Sequence, residues 1–130
     1  MSKPAFIKPT DGEWEILQVL WELEQATVRD VHQKLAASRK TGYTTTLKLM
    51  QIMQEKGLVR RDVSARSHVY RAAVKRKETE QLIIRDLIDR YFNGSTPRLI
   101  IRTLSGNNEN FSEKEWRKIQ AAIESRKNED

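Results

Sequence analysis

The chain has 130 residues, with 24 Lys+Arg, 18 Asp+Glu and two His, so its formal net charge is +6; 38% of it is apolar. That length accommodates one ordinary domain or two small ones, and the composition is too apolar for a disordered tail and too broken by charge for a membrane protein. The absence of cysteine excludes a disulfide framework, a thiolate zinc site and a thiol nucleophile.

The charge is unevenly placed. Residues 1–33 sum to −3, residues 34–77 to +10 and residues 78–130 to −1. The whole excess therefore sits in 44 residues, which points to a polyanionic partner, and nucleic acid is the commonest one. A membrane surface fits less well, because this stretch is broken by turns and strand-like alternation and is not one long amphipathic helix. Residues 1–7 carry no secretory apolar core, so the expected compartment is the cytoplasm.

Thr10-Asp-Gly-Glu13 is a capping box. It opens a helix to about Glu24, with Trp14, Leu17, Leu20 and Trp21 at helical spacing. Gln25-Ala26 reads as a turn. Thr27-Val-Arg-Asp30 then opens a second helix to about Ala37, with Val28, Val31 and Leu35 inward. A third helix is predicted from about Gly42 to Lys56, with Thr46, Leu49, Met50 and Met53 inward and Gly57 as a left-handed cap. Two β-type runs, Leu58–Val63 and Ser67–Ala72, flank the three-residue connection Ser64-Ala65-Arg66. Three helices followed by a hairpin is the winged helix-turn-helix arrangement.

The remainder is helical by period. Residues 75–92 place Leu82, Ile83, Leu87, Ile88, Tyr91 and Phe92 on one stripe that ends at Asn93-Gly94. Thr96-Pro97 reads as an N-cap followed by Pro at the first helical position, opening a short helix that carries Leu99, Ile100, Ile101 and Leu104. Ser112-Glu-Lys-Glu115 is a further capping box, with Phe111 placed to staple onto Trp116; Ile119 and Ile123 follow. The fold class is thus mainly α, with a DNA-binding winged-helix domain over residues 1–74 and a three-helix dimerisation domain over 75–130. So few residues do not enclose this much Leu and Ile without a staple. A homodimer is expected, its shared core formed by Leu82, Leu87, Tyr91, Phe92, Leu99, Ile100, Leu104, Trp116, Ile119 and Ile123. Two-fold symmetry would offer two reading heads to a palindromic site.

The third helix is the candidate recognition helix, because its outward face is not needed for the core. Gly42, Tyr43, Thr44, Thr45, Lys48 and Gln51 lie on that face or at the helix start, where amides and hydroxyls suit phosphates and side chains suit base edges. Leu47 falls beside the polar face, where it either meets a thymine methyl or extends the core stripe. Arg39 and Lys40 precede the helix. Arg60, Arg66 and His68 belong to the hairpin, with Arg66 at the tip the best phosphate or minor-groove candidate. Arg60 and Arg61 point to opposite faces of their strand, so one of them is expected at DNA. His32 reads as a half-exposed surface residue. Two histidines, scattered carboxylates and the lack of any phosphate loop, metal-ligand set or nucleophile elbow argue against an enzyme, a cofactor or a metal.

These residues carry a family resemblance. Glu13-Trp14, Ile16-Leu17, Leu20-Trp21-Glu22 and Thr27-Val28 with Val31 resemble the first helices of the penicillinase-repressor family, which includes the methicillin-resistance repressor and a copper-responsive branch. Gly42-Tyr43-Thr44-Thr45-Thr46, Met50, Met53, Lys56-Gly57-Leu58-Val59, Tyr70-Arg71-Ala72 and Tyr91-Phe92-Asn93-Gly94 extend the similarity along nearly the whole chain. The resemblance implies a dimeric winged-helix repressor of resistance or stress-response genes that binds double-stranded DNA at a palindromic operator. It also implies a protease partner, which in β-lactam-sensing members cleaves an Asn-Phe bond in the C-terminal domain. Arg102-Thr103 aligns with that bond, and Asn110-Phe111 stands in the loop before the last helix. The copper branch binds metal through C-terminal cysteines, which this chain lacks. The rival expectation is a winged-helix interaction module for an acidic protein.

Overall fold

The computed structural model describes residues 8–38, 40–64, 66–106 and 109–129. Along the chain these form α1 (Asp11–Leu23), α2 (Val28–Ala36), α3 (Tyr43–Lys56), β1 (Val59–Asp62), β2 (Val69–Ala72), α4 (Arg76–Tyr91), α5 (Thr96–Ser105) and α6 (Glu113–Lys127). They fall into two compact units, Met1–Leu87 and Ile88–Asp130, with the division inside α4. No helix among the described residues is long and apolar enough to cross a membrane. The architecture is mainly helical with one small hairpin after the third helix, as expected of a winged helix.

In the first unit the capping boxes set the helix starts. The Thr10 hydroxyl accepts from the Glu13 amide and the Thr27 hydroxyl from the Asp30 amide, each with the reciprocal carboxylate bond. Gly57 ends α3 at φ 85°, a left-handed conformation that an L side chain adopts only with strain. The inward stripes of α1, α2 and α3 meet in one core: Ile16, Leu17 and Leu20, then Val28, Val31 and Leu35, then Met50 and Met53, joined by Leu58, Val59 and Tyr70 of the hairpin. Thr46 is buried beside them. Trp14 and Trp21 pack edge to face at 5.3 Å on the margin of this core. The Trp21 indole also donates to the Val74 carbonyl at 3.0 Å, and the Arg76 guanidinium lies over its ring.

The hairpin departs from expectation in two ways. The antiparallel register runs from Val59 opposite Ala72 to Asp62 opposite Val69, so the connection spans residues 63–68 and is longer than three residues. The cause is local: the Asp62 carboxylate accepts from the Ser64 amide at 2.9 Å and from its hydroxyl at 2.6 Å, which turns the chain out of the ladder. Those two bonds also hold the exposed Asp62 carboxyl below its ordinary pKa. Ala26, read from sequence as part of a turn, instead bridges to Tyr70, with N–H···O distances of 3.0 and 2.8 Å in the two directions. The positive φ of Glu24, 69°, swings the chain out of α1 so that Ala26 can lie along β2.

In the second unit Asn93 and Gly94, both at positive φ, end α4, and the Ile88 carbonyl accepts from the Phe92 and Gly94 amides. The cap of α5 is Ser95, whose hydroxyl accepts from the Arg98 amide, so Pro97 is the second helical residue and Thr96 the first. The expected cap at Thr96 is thereby corrected by one position. Ser112 and Glu115 form the expected box at α6, and the Phe111 and Trp116 rings meet edge to face at 4.9 Å. Ser112 holds the Glu115 carboxyl below its usual pKa.

Among the described residues of the first unit, one ionisable side chain is buried with its charge. Glu13 is 1% exposed; its carboxylate accepts from the Thr10 amide at 2.9 Å and from Lys56 Nζ at 3.1 and 2.8 Å. Burial pushes its pKa up, but the Lys56 ammonium and the Thr10 donors outweigh burial and hold it below the ordinary 4.5. A depressed folded pKa means that the stabilisation is complete above the unfolded pKa and is lost as pH falls through the folded one. Glu13→Gln should therefore destabilise the protein by about 1–3 kcal/mol at neutral pH. In chemical denaturation the difference from wild type should shrink as pH falls below about 4; a difference constant with pH would contradict it.

Candidate nucleic-acid interface

The outward face of α3 is set by its inward one. With Thr46, Met50 and Met53 buried, helical geometry leaves Tyr43, Thr44, Thr45, Lys48 and Gln51 exposed, and all five are. Tyr43, Leu47 and Gln51, spaced by four, form the stripe that faces the wing across a cleft of about 540 Å³. Leu47 packs against the core and also lines this cleft.

The opposite wall is the wing, through Arg61, Arg66, Ser67 and His68, with Tyr70 at its base. The start of α2, Thr27 to Arg29, closes the end. Three arginines, Arg29, Arg61 and Arg66, line the cleft, and no Asp or Glu is among its described lining residues. Such a surface attracts anions and carries no internal charge to offset the attraction.

The starts of these helices differ in a way that bears on anions. Thr10, Thr27, Ser95 and Ser112 place a side-chain cap on the first turns of α1, α2, α5 and α6, whereas α3 begins on Gly42 with no side-chain cap. The amides of its first turn are therefore open to an outside acceptor. Lys40 and Gly42, just ahead, are exposed.

The structure thus brings Tyr43, Gln51, Arg66 and His68 together on one cleft. Thr44, Thr45 and Lys48 are on the exposed face of α3 but do not line the cleft. Arg60 is elsewhere: in register with Arg71, it shares the strand face opposite to that of Arg61 and Tyr70. Arg71 on that face donates to Gln25 Oε1 at 2.8 Å. Arg39 lies outside the described residues. Of Arg60 and Arg61, one of which is expected at DNA, it is Arg61 that lines the cleft, and the register decides it, since the buried Tyr70 directs its cross-strand partner to the same side. Arg29 was not foreseen, being hidden within an acidic segment.

His32 is half-buried, as expected. Its surroundings were not foreseen: Nδ1 is 3.5 Å from the Thr46 hydroxyl, and its ring meets Tyr43 edge to face at 5.7 Å.

In α4, Leu82 and Leu87 are exposed. Of the other residues expected in a dimer core, Tyr91 (67% exposed), Ile100, Leu104, Trp116 and Ile123 are exposed, and Phe92, Leu99 and Ile119 are half-buried. Neither α5 nor α6 has a buried residue. Arg102-Thr103 lies within α5, and Asn110-Phe111 lies outside any helix, just ahead of α6.

No curated protein matches the chain. The model of the penicillinase repressor family matches residues 9–125. Three helices, a wing and an arginine-lined cleft beside the uncapped start of α3 accord with that match: the chain belongs to the penicillinase repressor family, whose members are DNA-binding transcriptional repressors and not enzymes.

Proposed function

We propose that the protein acts in the cytoplasm as a homodimeric repressor, without cofactor, that binds a palindromic operator and controls antibiotic-resistance or stress-response genes. DNA binding is assigned to residues 1–74 and dimerisation to residues 75–130. The observation that carries this reading is the cleft between α3 and the wing, with three arginines and no Asp or Glu among its described lining residues. Tyr43, Thr44, Thr45, Lys48 and Gln51 face the major groove, Gln51 being able to take adenine through two hydrogen bonds. The open amides of the first turn of α3, with Lys40 and Gly42, take phosphate. Arg66 and His68 contact the backbone, and Arg61 and Arg29, facing the same cleft, join them; Arg39 remains a backbone candidate and Arg60 a peripheral one. The apolar residues left exposed along α4, α5 and α6 support a shared core in the dimer. If a protease relieves repression, cleavage at Arg102-Thr103 requires α5 to unwind, whereas Asn110-Phe111 is already outside a helix.

Titration of duplex DNA over a range of salt tests the electrostatic part. A dimer that neutralises ~6–10 phosphates should lose ~10³–10⁵ in affinity between ~50 and ~200 mM salt; a flat dependence would refute it. Arg61→Ala and Arg66→Ala should weaken binding to all sequences alike, each reducing the dimer's salt slope by about 2, one contact being lost from each protomer, while Arg60→Ala should change little. Gln51→Ala should relax base preference. Equal losses for Gln51→Ala on selected and random DNA would remove it from base reading, and absence of any duplex preference would favour an acidic protein partner. Leu104→Asp should convert a sedimenting dimer to a monomer with the first unit still folded; a wild-type monomer at micromolar concentration would overturn the dimer.

A further inference from the structure

The first turn of α3 has an unusual mechanical situation. It has no side-chain cap, and Tyr43, its first residue, is 46% exposed. A half-exposed aromatic ring at an uncapped helix start has several rotamers open to it. Its ring meets that of His32.

His32 belongs to α2, four residues after Val28 and three before Leu35, both buried. It therefore borders the buried stripe of its helix, on the side that meets α3. Two groups one helical turn apart on α3 converge on it. Tyr43 meets its ring edge to face, at 5.7 Å and an interplanar angle of 81°. The Thr46 hydroxyl lies 3.5 Å from Nδ1 and 3.4 Å from the Gly42 carbonyl. A hydroxyl has one proton. With that proton directed at the Gly42 carbonyl, its oxygen accepts from Nδ1–H, which completes a chain from His32 through Thr46 to the residue that starts the helix. An aliphatic side chain would fill the same space, but it would neither bond Thr46 nor present a ring edge to Tyr43.

We infer that His32 is a positioning residue for sequence reading: through its ring contact with Tyr43 and its bond to Thr46 it fixes the direction in which Tyr43 meets DNA. The inference rests on the reading that α3 contacts bases. It predicts that His32 affects discrimination between sequences and leaves the sequence-independent affinity, which the arginines carry, unaltered.

The test uses the full chain, the duplex that wild type selects from a random pool, and a scrambled duplex of equal length. His32→Ala should reduce the preference for the selected duplex about 2- to 10-fold, with affinity for the scrambled one within about twofold, which also reports that the reading head is folded. His32→Phe, which restores a ring against Tyr43, should recover most of that preference. On a Tyr43→Ala background, His32→Ala should cause no further loss, since the effect passes through Tyr43. The inference is overturned if Tyr43→Ala flattens the preference while His32→Ala leaves it intact, if His32→Phe is no better than His32→Ala, or if the two losses simply add. If Tyr43→Ala leaves the preference unchanged, the base-reading role of Tyr43 falls first, and the inference with it.

Discussion

The Glu13 carboxylate is placed where the geometry of the three-helix unit is decided. It belongs to the first turn of α1, where it bonds back to the Thr10 amide, and it also receives the ammonium of Lys56 at the last turn of α3. One residue later Gly57 reverses the chain into β1. A buried charge is tolerated only when its partners remain in place, so this pair fixes the end of α3 against the start of α1. The apolar stripes of α1, α2 and α3 supply most of the stabilisation. They resist sliding less than a directional ionic contact does, because many packings of similar area differ little in burial.

Given that anchor at one end, the exposed face of α3 follows from its buried one, and the unusual features gather at the other end. The helix starts on glycine without a cap, beside a wall of guanidiniums. A structure optimised only for stability would place Ser, Thr, Asp or Asn there, as α1, α2, α5 and α6 place Thr or Ser. Leaving those amides open sacrifices local stability at the point where an anionic ligand can supply the missing acceptors. The capped helices and the open one are thus two uses of the same chemistry within one chain.

Much of this was legible in the sequence because it is local. Three capping boxes and Gly57 place helix ends through residues three or four apart, and the periods of α1 to α3 give the core stripes directly. What was not legible depends on partners far along the chain. Glu13 satisfies the box pattern by itself, so nothing local marks it as the partner of Lys56, 43 residues away. Ala26 forms a one-residue bridge, too short to show any alternation. Arg60 and Arg61 are equivalent until the cross-strand register is known. Arg29 does not stand out in the sequence, since six acidic residues share its segment, 1–33. At α5, Ser95 and Thr96 are both good caps, and only the bond to the Arg98 amide separates them.

The bridge between Ala26 and Tyr70 has a consequence for how this family member can vary. Both of its hydrogen bonds are made by backbone atoms, so it depends on no side-chain chemistry and only proline, lacking the N–H, would remove a donor outright. The loop leading into α2 and the strand leading out of the wing are therefore riveted together, and with them the closed end of the cleft, which carries Arg29, and the wall that carries Arg66. Side chains that line the cleft can therefore be exchanged without touching the bonds that tie its two sides together. The frame is held by backbone atoms and the lining is made of side chains, so the one can be altered while the other stays in place.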